Sequence, residues 1–438
     1  MGLLCSRGKV HLDGHKDLTL HLPVTKISDA AVIGKLYIPK LMANGREIAF
    51  TVAIGDSVKK GQRIGLAPGF YMPVFAPVSG KITGIENLYN SLVGRPIPHF
   101  VLENDFKEEW GEPLTLIDPN KASRVEIVSA IKEAGICGLG GAGFPTYVKY
   151  EKEQPIECLI INSIECEPFL TSDYHAMQEH LTLFIQGVSI LLKVSGAKEA
   201  VIAIKVGKPE LVAKIRQEIG DRKDIRVQEM KDLYPMGWEK VLVQEILHKD
   251  YEGLPSEAGA IINNASTAIA VADALLNGHP ITERLITISG DAIKPTMAIV
   301  PIYTKVQSLM TFLGGYQADE INLLAGGPMT SKAMMNDNFV IEKTTGGLLV
   351  LKCVEYVSEP CLRCGRCILA CPSSLYPCEI KDAIDKKDFK RLRDLEVNKC
   401  VECGTCSYVC PSKIDIVGSI RKAKLLLKLE DAKAAPKK

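Results

Sequence analysis

Two cysteine runs near the C-terminus have a spacing that can do chemistry. The first is Cys361-x2-Cys364-x2-Cys367-x3-Cys371-Pro372, and the second is Cys400-x2-Cys403-x2-Cys406-x3-Cys410-Pro411. Three thiolates at unbroken two-residue spacing suit one face of an iron–sulfur cubane, and in this pattern the fourth cysteine of each run reaches the other cluster. The spacing therefore assigns Cys361, Cys364, Cys367 and Cys410 to one [4Fe–4S] cluster. Cys400, Cys403, Cys406 and Cys371 take the other. Structural zinc sites more often pair two CxxC units across a longer gap. A disulfide framework suits a short secreted chain rather than one of 438 residues. Two neighbouring cubanes pass single electrons.

A second set of residues is polar where an α/β sheet would bind a ligand. Gly138-Leu139-Gly140-Gly141-Ala142-Gly143 fits GxGxxG, a weak signal alone. A conventional dinucleotide turn needs a preceding strand, but helical periodicity precedes this loop and Pro145 follows it. Its glycines can still converge amides on an anion and let a flat ring approach. Asn162-Ser163-Ile164-Glu165-Cys166-Glu167-Pro168 follows a short apolar strand, with Thr171-Ser172-Asp173 opening a helix. Carboxylates at a strand's C-terminal end are costly unless satisfied, and ligands bind there. Ile262-Asn263-Asn264-Ala265-Ser266-Thr267 repeats that placement. Asn264 alone could be a helix cap.

The elements that must position these groups follow from pattern. Residues 45–105 are rich in Val, Ile, Gly and Pro, with a turn at Gly55–Gln62, and resemble the barrel-sandwich hybrid of lipoyl and biotinyl domains. The expected hairpin tip, Gly69-Phe70-Tyr71-Met72, has no lysine, so the module reads as structural. From residue 122 helix and strand alternate: helix Arg124–Ala134, strand Cys158–Asn162, helix His175–Val194, strand Ala200–Val206, helix Pro209–Ile219, strand Ile225–Met230 and helix Trp238–His248. Such alternation predicts a mostly parallel α/β layer. Short strands Arg284–Ser289 and Met297–Ile302 suggest a small α+β module, and Asp382–Leu395 a charged helix between the cysteine runs. The fold class is thus α/β multidomain, with expected domains at 1–115, 116–280, 281–345 and 346–425 and a charged tail at 426–438.

Composition bounds the partners. The net charge of +1 argues for neither nucleic acid nor an anionic membrane. No run approaches the ~20 apolar residues of a membrane span. Met1–Arg7 is too short and polar for a signal peptide, and 14 cysteines suit a reducing compartment. A cytoplasmic protein is expected, peripheral at the inner membrane face if partners hold it there.

Taken in order, Gly143-Phe144-Pro145-Thr146, the Asn162–Pro168 acids and Asn263-Asn264-x-x-Thr267 resemble the flavin- and NADH-binding subunit of respiratory complex I. The module after residue 281 resembles the ubiquitin-like (SLBB-type) domain of that family. With a sandwich in front and two clusters behind, the chain resembles the C subunit of Rnf-type ferredoxin:NAD oxidoreductases. Glu359-Pro360-Cys361, Ala325-Gly326-Gly327-Pro328-Met329 and Glu165-Cys166-Glu167-Pro168 add to the match. The opening departs: Gly8-Lys9-Val10-His11-Leu12 stands where that family usually has Gly-Gly-(Ile/Val)-His-Pro, although His15-Lys16 is retained.

The resemblance implies FMN and NAD(H) besides two [4Fe–4S] clusters, and an NADH oxidoreductase module active within a complex. Gly138, Gly140, Gly141 and Gly143 would support the nucleotide phosphates and the flavin. Phe144 would lie against adenine or the flavin ring, and Glu165 and Glu167 would orient NADH. Asn162, Asn263, Asn264 and Thr267 would bind the ribityl phosphate. No catalytic acid or base is implied, because hydride transfer is direct. Partners would be other electron-transfer subunits, a reductase or ferredoxin-like carriers. Two other readings are a soluble relative feeding an amino-acid reductase of the proline reductase type, and a cluster-only electron wire. Cys5, Cys137, Cys158, Cys353 and Cys378 have no partner at ligand spacing and read as buried or incidental thiols. Cys378 is the strongest exception, being near the runs.

Overall fold

Turn chemistry sets up the first domain. In the computed structural model, which describes residues 8–27, 32–42, 45–90, 94–331 and 333–434, the Asp56 carboxylate accepts from the Ala53 amide at 2.8 Å. The Gln62 side chain accepts from the Lys59 amide at 2.9 Å. Around this turn a four-stranded sheet runs in the order Lys35–Pro39, Arg95–Asn104, Gly80–Asn90, Ser57–Val58. A three-stranded sheet of Ala49–Phe50, Arg63–Ala67 and Met72–Phe75 faces it. Ile38, Ile64, Val74, Ile82 and Leu102 fill the space between them. The expected sandwich is present, and Phe70 and Tyr71 do form its hairpin tip. Met1–Arg7, with Cys5, lies outside the described residues.

The same apolar core continues into the small module, through Ile286, Ile288, Val300, Leu309 and Val350. Its sheet runs Val24–Lys26, Thr296–Pro301, Glu283–Ser289, Gly347–Lys352, Ile321–Ala325, Ala333–Met334. Two of these strands come from outside the expected limits of 281–345. Val24–Lys26 adds in parallel to Thr296–Pro301, and Gly347–Lys352 lies centrally between Glu283–Ser289 and Ile321–Ala325. A strand's sheet membership is decided by pairing far along the chain, which local pattern does not report.

The central domain is a parallel sheet in the order Ile225–Met230, Glu199–Lys205, Cys158–Ser163, Ala260–Asn264. Its strands are apolar because both faces are covered, by helices Arg124–Glu133, Leu181–Ser195 and Ala265–Ala272 on one side and Glu239–Leu247 on the other. Ser123 caps the first helix in a capping box with Glu126. The long helix expected over His175–Val194 is instead two, Ser172–Glu179 and Leu181–Ser195. His180 leaves helical geometry between them (φ −125°, ψ 40°), a break that apolar periodicity passes over.

The cluster segment shows its duplication in the backbone. Arg363 and Glu402 have φ of 55° and 56°, Gly365 and Gly404 73° and 78°, Ser374 and Lys413 54° and 54°. Each glycine opens a one-turn helix carrying the third cysteine, Arg366–Leu369 and Thr405–Tyr408. Each run then enters a helix, Pro377–Asp385 or Ile416–Ala434. The latter crosses the expected boundary between domain and tail. The charged helix expected over Asp382–Leu395 is broken at Lys387 (φ 54°). A second helix, Phe389–Asp394, starts there because Asp388 caps the Arg391 amide at 2.9 Å.

Candidate functional site

Register brings two of the polar segments together. Asn264 pairs with Asn162 across adjacent parallel strands, so both lie at the C-terminal edge where such sheets bind ligands. The glycine loop arches over this edge. It is closed by Gly138 N donating to Phe144 O at 2.8 Å and Gly143 N to Gly138 O at 3.2 Å. Gly140 lies directly on Asn264, whose side chain would be 3.3 Å from any Cβ there. Gly141 has φ +113°, and a Cβ on it would meet nothing within 4 Å. Open space therefore adjoins the loop at the one residue where a side chain would both strain the backbone and enter that space.

Several expected ligands are engaged inside the protein and hold this frame. Thr267 is fully buried, and its hydroxyl accepts from the Leu139 amide at 2.9 Å. Asn263 is buried and donates to the Tyr150 hydroxyl. Asn264 caps helix Ala265–Ala272 and donates to Asp173 at 2.6 Å. Asn162 donates to Gly237 O at 2.7 Å and accepts from the Ile164 amide at 3.2 Å. Arg284, buried beneath the loop, donates to Leu139 O at 3.3 Å.

The two glutamates diverge. Glu165 sits at φ +47° and accepts from the Asp173 amide at 2.8 Å and the Ser172 hydroxyl at 3.2 Å, both at the start of helix Ser172–Glu179. Its other oxygen, Oε2, is buried without a hydrogen-bond partner. Glu167 turns away to accept from the Met329 amide at 3.0 Å and from the Thr330 hydroxyl. Burial raises its pKa. Cys166 between them packs beside Gly237 in the apolar cluster of Tyr234, Trp238 and Cys403. Burial pushes its thiol up to about 11.

Three charged residues to which the sequence reading gave no binding role complete the site. Asp173 bridges Asn264 and Ser266, and burial, with Glu165 nearby, raises its pKa. Lys16 donates to Glu165 O at 2.7 Å and to Leu170 O. Burial outweighs the attraction of Glu165 and lowers its amine to about 8. Lys208 is buried, with Nζ over the Tyr174 ring at 4.7 Å and no hydrogen-bond partner. Burial lowers its pKa too. Position offered a signal for two of them: Lys208 follows Gly207 just past a strand, and Asp173 opens a helix. A buried cation and a buried carboxylate oxygen, each without a hydrogen-bond partner, fit a bound nucleotide with phosphate and hydroxyl groups. Phe144 adds an aromatic face, 41% exposed and edge-to-face with Phe70 of the sandwich tip at 5.6 Å.

The cysteines gather in crossed sets. Cys361, Cys364, Cys367 and Cys410 line one cavity, joined by Cys378. Cys371 lies among Cys400, Cys403 and Cys406, whose thiols are raised by burial and then by one another and Cys371, that of Cys400 to about 11. Among the described residues no three His, Cys, Asp or Glu side chains converge as a single metal ion needs. Thiolates around one zinc stand roughly 3.8 Å apart, from Zn–S bonds of about 2.3 Å. A cubane takes each thiolate on a different iron, and the sulfur donors lining the first cavity are the chemistry it binds. Tyr234 donates to Cys403 O at 2.6 Å, and Gly404 approaches Met329 so closely that a Cβ would be 2.4 Å from its carbonyl. Through Met329, Glu167 and Tyr234, the Cys400 set abuts the flavin-like domain. The first run faces outward, with Cys364 exposed and Leu362 70% exposed. Cys137 and Cys158 are buried thiols, while Cys353 is exposed.

Residues 131–273 match the family model of the Nuo51 FMN-binding domain, residues 5–107 the RnfC barrel sandwich hybrid domain, and residues 353–411 a 4Fe-4S dicluster domain. The chain is 35% identical to the C subunit of the proton-translocating ferredoxin:NAD(+) oxidoreductase complex of Clostridium ljungdahlii, covering 85% of this chain and 82% of that one. It is 33% identical to the C subunit of the ion-translocating oxidoreductase complex of Rhodobacter capsulatus, over 88% and 76%. Identity is 32% to the C subunit of the Na(+)-translocating ferredoxin:NAD(+) oxidoreductase complex of Acetobacterium woodii, over 92% and 95%.

Proposed function

The chain belongs to the family of C subunits of Rnf-type oxidoreductase complexes, and from that premise we propose which residues carry its exchange of electrons between NAD(H) and two [4Fe–4S] clusters. It is a flavo-iron–sulfur electron-transfer subunit, active as part of a complex. The chemistry supplied by a bound FMN is the conversion of a two-electron hydride into single electrons. The observation that carries the reading is the glycine loop lying over the paired ends of Asn162 and Asn264, with open space at Gly141.

Gly138, Gly140, Gly141 and Gly143 would form the wall beside bound flavin and nicotinamide, with Phe144 at its rim. Lys208 would meet an anionic oxygen, and Glu165 Oε2 would accept a hydrogen bond from a hydroxyl or amide. Asn263, Asn264 and Thr267 hold the loop in place, with Asn162 fixing the strand end beside them. Glu167 fixes the 326–330 loop against the second cysteine set. Cys400, Cys403, Cys406 and Cys371 would hold the cluster nearer the flavin-binding domain. Cys361, Cys364, Cys367 and Cys410 would hold the other, at the exposed face where a partner protein or ferredoxin-like carrier would dock. No described helix is long and apolar enough to cross a membrane. Attachment at the inner membrane face would run through other subunits of the ion-translocating complexes for which the relatives are named.

The test is anaerobic mixing of flavin-replete protein with NADH. Flavin absorbance should bleach first and cluster absorbance follow, with NADPH much poorer. If NADH leaves the flavin oxidised while dithionite reduces the clusters, the hydride reading is overturned.

A further inference from the structure

The hairpin tip of the sandwich carries no lysine, yet it is fixed at the edge of the glycine loop. Tyr71 N donates to the Tyr147 hydroxyl at 3.1 Å, and the Tyr71 hydroxyl donates to Glu133 at 2.7 Å. Arg63 and Lys132 both stand over the Tyr71 ring, each 5.3 Å from its centroid. Behind the tip, Gly135 comes so close to Pro73 that a Cβ would be 2.8 Å from its carbonyl oxygen. These contacts hold Tyr71 and the backbone around it against the flavin-like domain. They leave its neighbour outside: Phe70 is 50% exposed and meets Phe144 at 5.6 Å, with the ring planes at 71°. A single exposed phenylalanine needs no explanation. Here two from separate domains meet, on the loop whose Gly141 adjoins open space.

We propose that Phe70 is a substrate-binding residue, which makes with Phe144 an aromatic corner for the adenine of NAD(H). The inference rests on the nucleotide reading above and extends that site onto a domain that otherwise reads as structural. A base cannot slip between the rings at 5.6 Å, because two stacking contacts need about 7 Å, twice the ~3.5 Å carbon contact distance. It can lie on the face of one ring and set its edge against the other, an arrangement that aromatic quadrupoles favour. Adenine is the group left to occupy this corner. Flavin and nicotinamide must stack on each other for hydride transfer, so they share the inner wall of the loop. FMN has no adenine, and that of an extended dinucleotide must be met further out, at the rim.

The test uses full-length, FMN-replete protein and calorimetry with ADP-ribose as the probe. ADP-ribose carries the adenine without the nicotinamide, so its binding is read independently of hydride transfer. Phe70→Ala should weaken it about tenfold, equivalent to about 1.4 kcal/mol, as expected for a base losing one aromatic contact. Phe70→Tyr should bind like wild type, and Phe70→Leu, apolar but not flat, should stay weak. A second measurement separates the two ends of the substrate. The NADH concentration that half-saturates flavin bleaching should rise about tenfold in Phe70→Ala. That of reduced nicotinamide mononucleotide, which has no adenine, should not rise with it. If Phe70→Ala or Phe70→Leu binds ADP-ribose as tightly as wild type, Phe70 does not stack on adenine and the proposal fails. It fails equally if Phe70→Ala weakens NADH and the mononucleotide alike, since Phe70 would then act through the loop. Wild-type protein that neither binds ADP-ribose nor bleaches with NADH would undo the nucleotide reading itself.

Discussion

Between Cys361 and Cys410 every expected iron ligand comes from one stretch of chain, and the backbone that presents them is built twice. The flavin site is assembled the other way. Lys16, Gly141, Asp173, Lys208, Asn264 and Arg284 come from separate parts of the chain, and Lys16, Asp173, Asn264 and Arg284 are held by residues far along it. In the first region a local turn suffices to aim three thiols. In the second, the aim depends on sheet register and on buried hydrogen bonds, so single substitutions should act by loosening as well as by removing contacts. Ligand loss should thus be severe and confined to one cluster. Frame loss should be graded and spread through the site.

The largest effect expected from this contrast is at Cys371. Its sulfur lies with the second set although its sequence lies in the first. Cys371→Ala should halve the iron content, from about eight to about four atoms, and remove the resonance of the Cys400 cluster. Loss of the Cys361 cluster instead would show that each run holds its own cubane.

Next comes the open face of the glycine loop. Gly141→Val places a β-branched residue at φ +113°, at a local cost on the order of 1–3 kcal/mol, and fills the space beside the loop. Flavin content and NADH-driven reduction should fall at least about tenfold, equivalent to about 1.4 kcal/mol of lost binding. Both clusters should stay reducible by dithionite. Full NADH activity in this variant would move the nucleotide site away from the loop.

How much of each region could be read beforehand follows the same division. The crossed gathering of the cysteines was legible because their spacing alone suggests it. The glycine loop and both asparagine segments were legible as polar breaks after apolar runs. That Thr267 holds Leu139 and Asn263 holds Tyr150 was not, because a side chain's partner across the core is decided by register. The burial of Lys16 and Lys208 was hidden for a further reason: a lysine in sequence reads as a solvated charge, and only topology buries it. The breaks at His180 and Lys387 escaped because apolar spacing continues through them, although Asp388 carried a capping signal.

Lys16 tests whether the frame is electrostatically strained. Its amine, near 10.5 when exposed, falls to about 8 because burial disfavours the cation more than Glu165 favours it. The unfolded chain therefore holds a proton that the folded one gives up between about pH 8 and 10.5. Stability should rise with pH across that window, by at most about 1.4 kcal/mol per unit. Lys16→Met should flatten the rise when thermal midpoints are compared at pH 8 and 9.5. An unchanged slope would mean that Lys16 keeps its ordinary affinity for the proton.

The smallest effect should be at the seam between the two regions. Tyr234 is buried and donates to Cys403 O at 2.6 Å, the one side-chain hydrogen bond described between the strand-end region and the second cysteine set. Yet Val10, Trp238, Met329 and Val409 pack around it, and Glu167 grips the neighbouring loop independently. Removing the hydroxyl keeps the ring and its apolar contacts, so Tyr234→Phe should cost only about 1 kcal/mol. Flavin and iron content should be unchanged, and NADH-driven cluster reduction should slow by less than about tenfold. A seam held by packing tolerates the loss of one bond. If Tyr234→Phe instead abolished cluster reduction with both cofactors retained, the hydroxyl itself would govern electron passage. The second cysteine set would then depend on a single long-range bond, as the flavin site does, and the contrast between the regions would end at that seam.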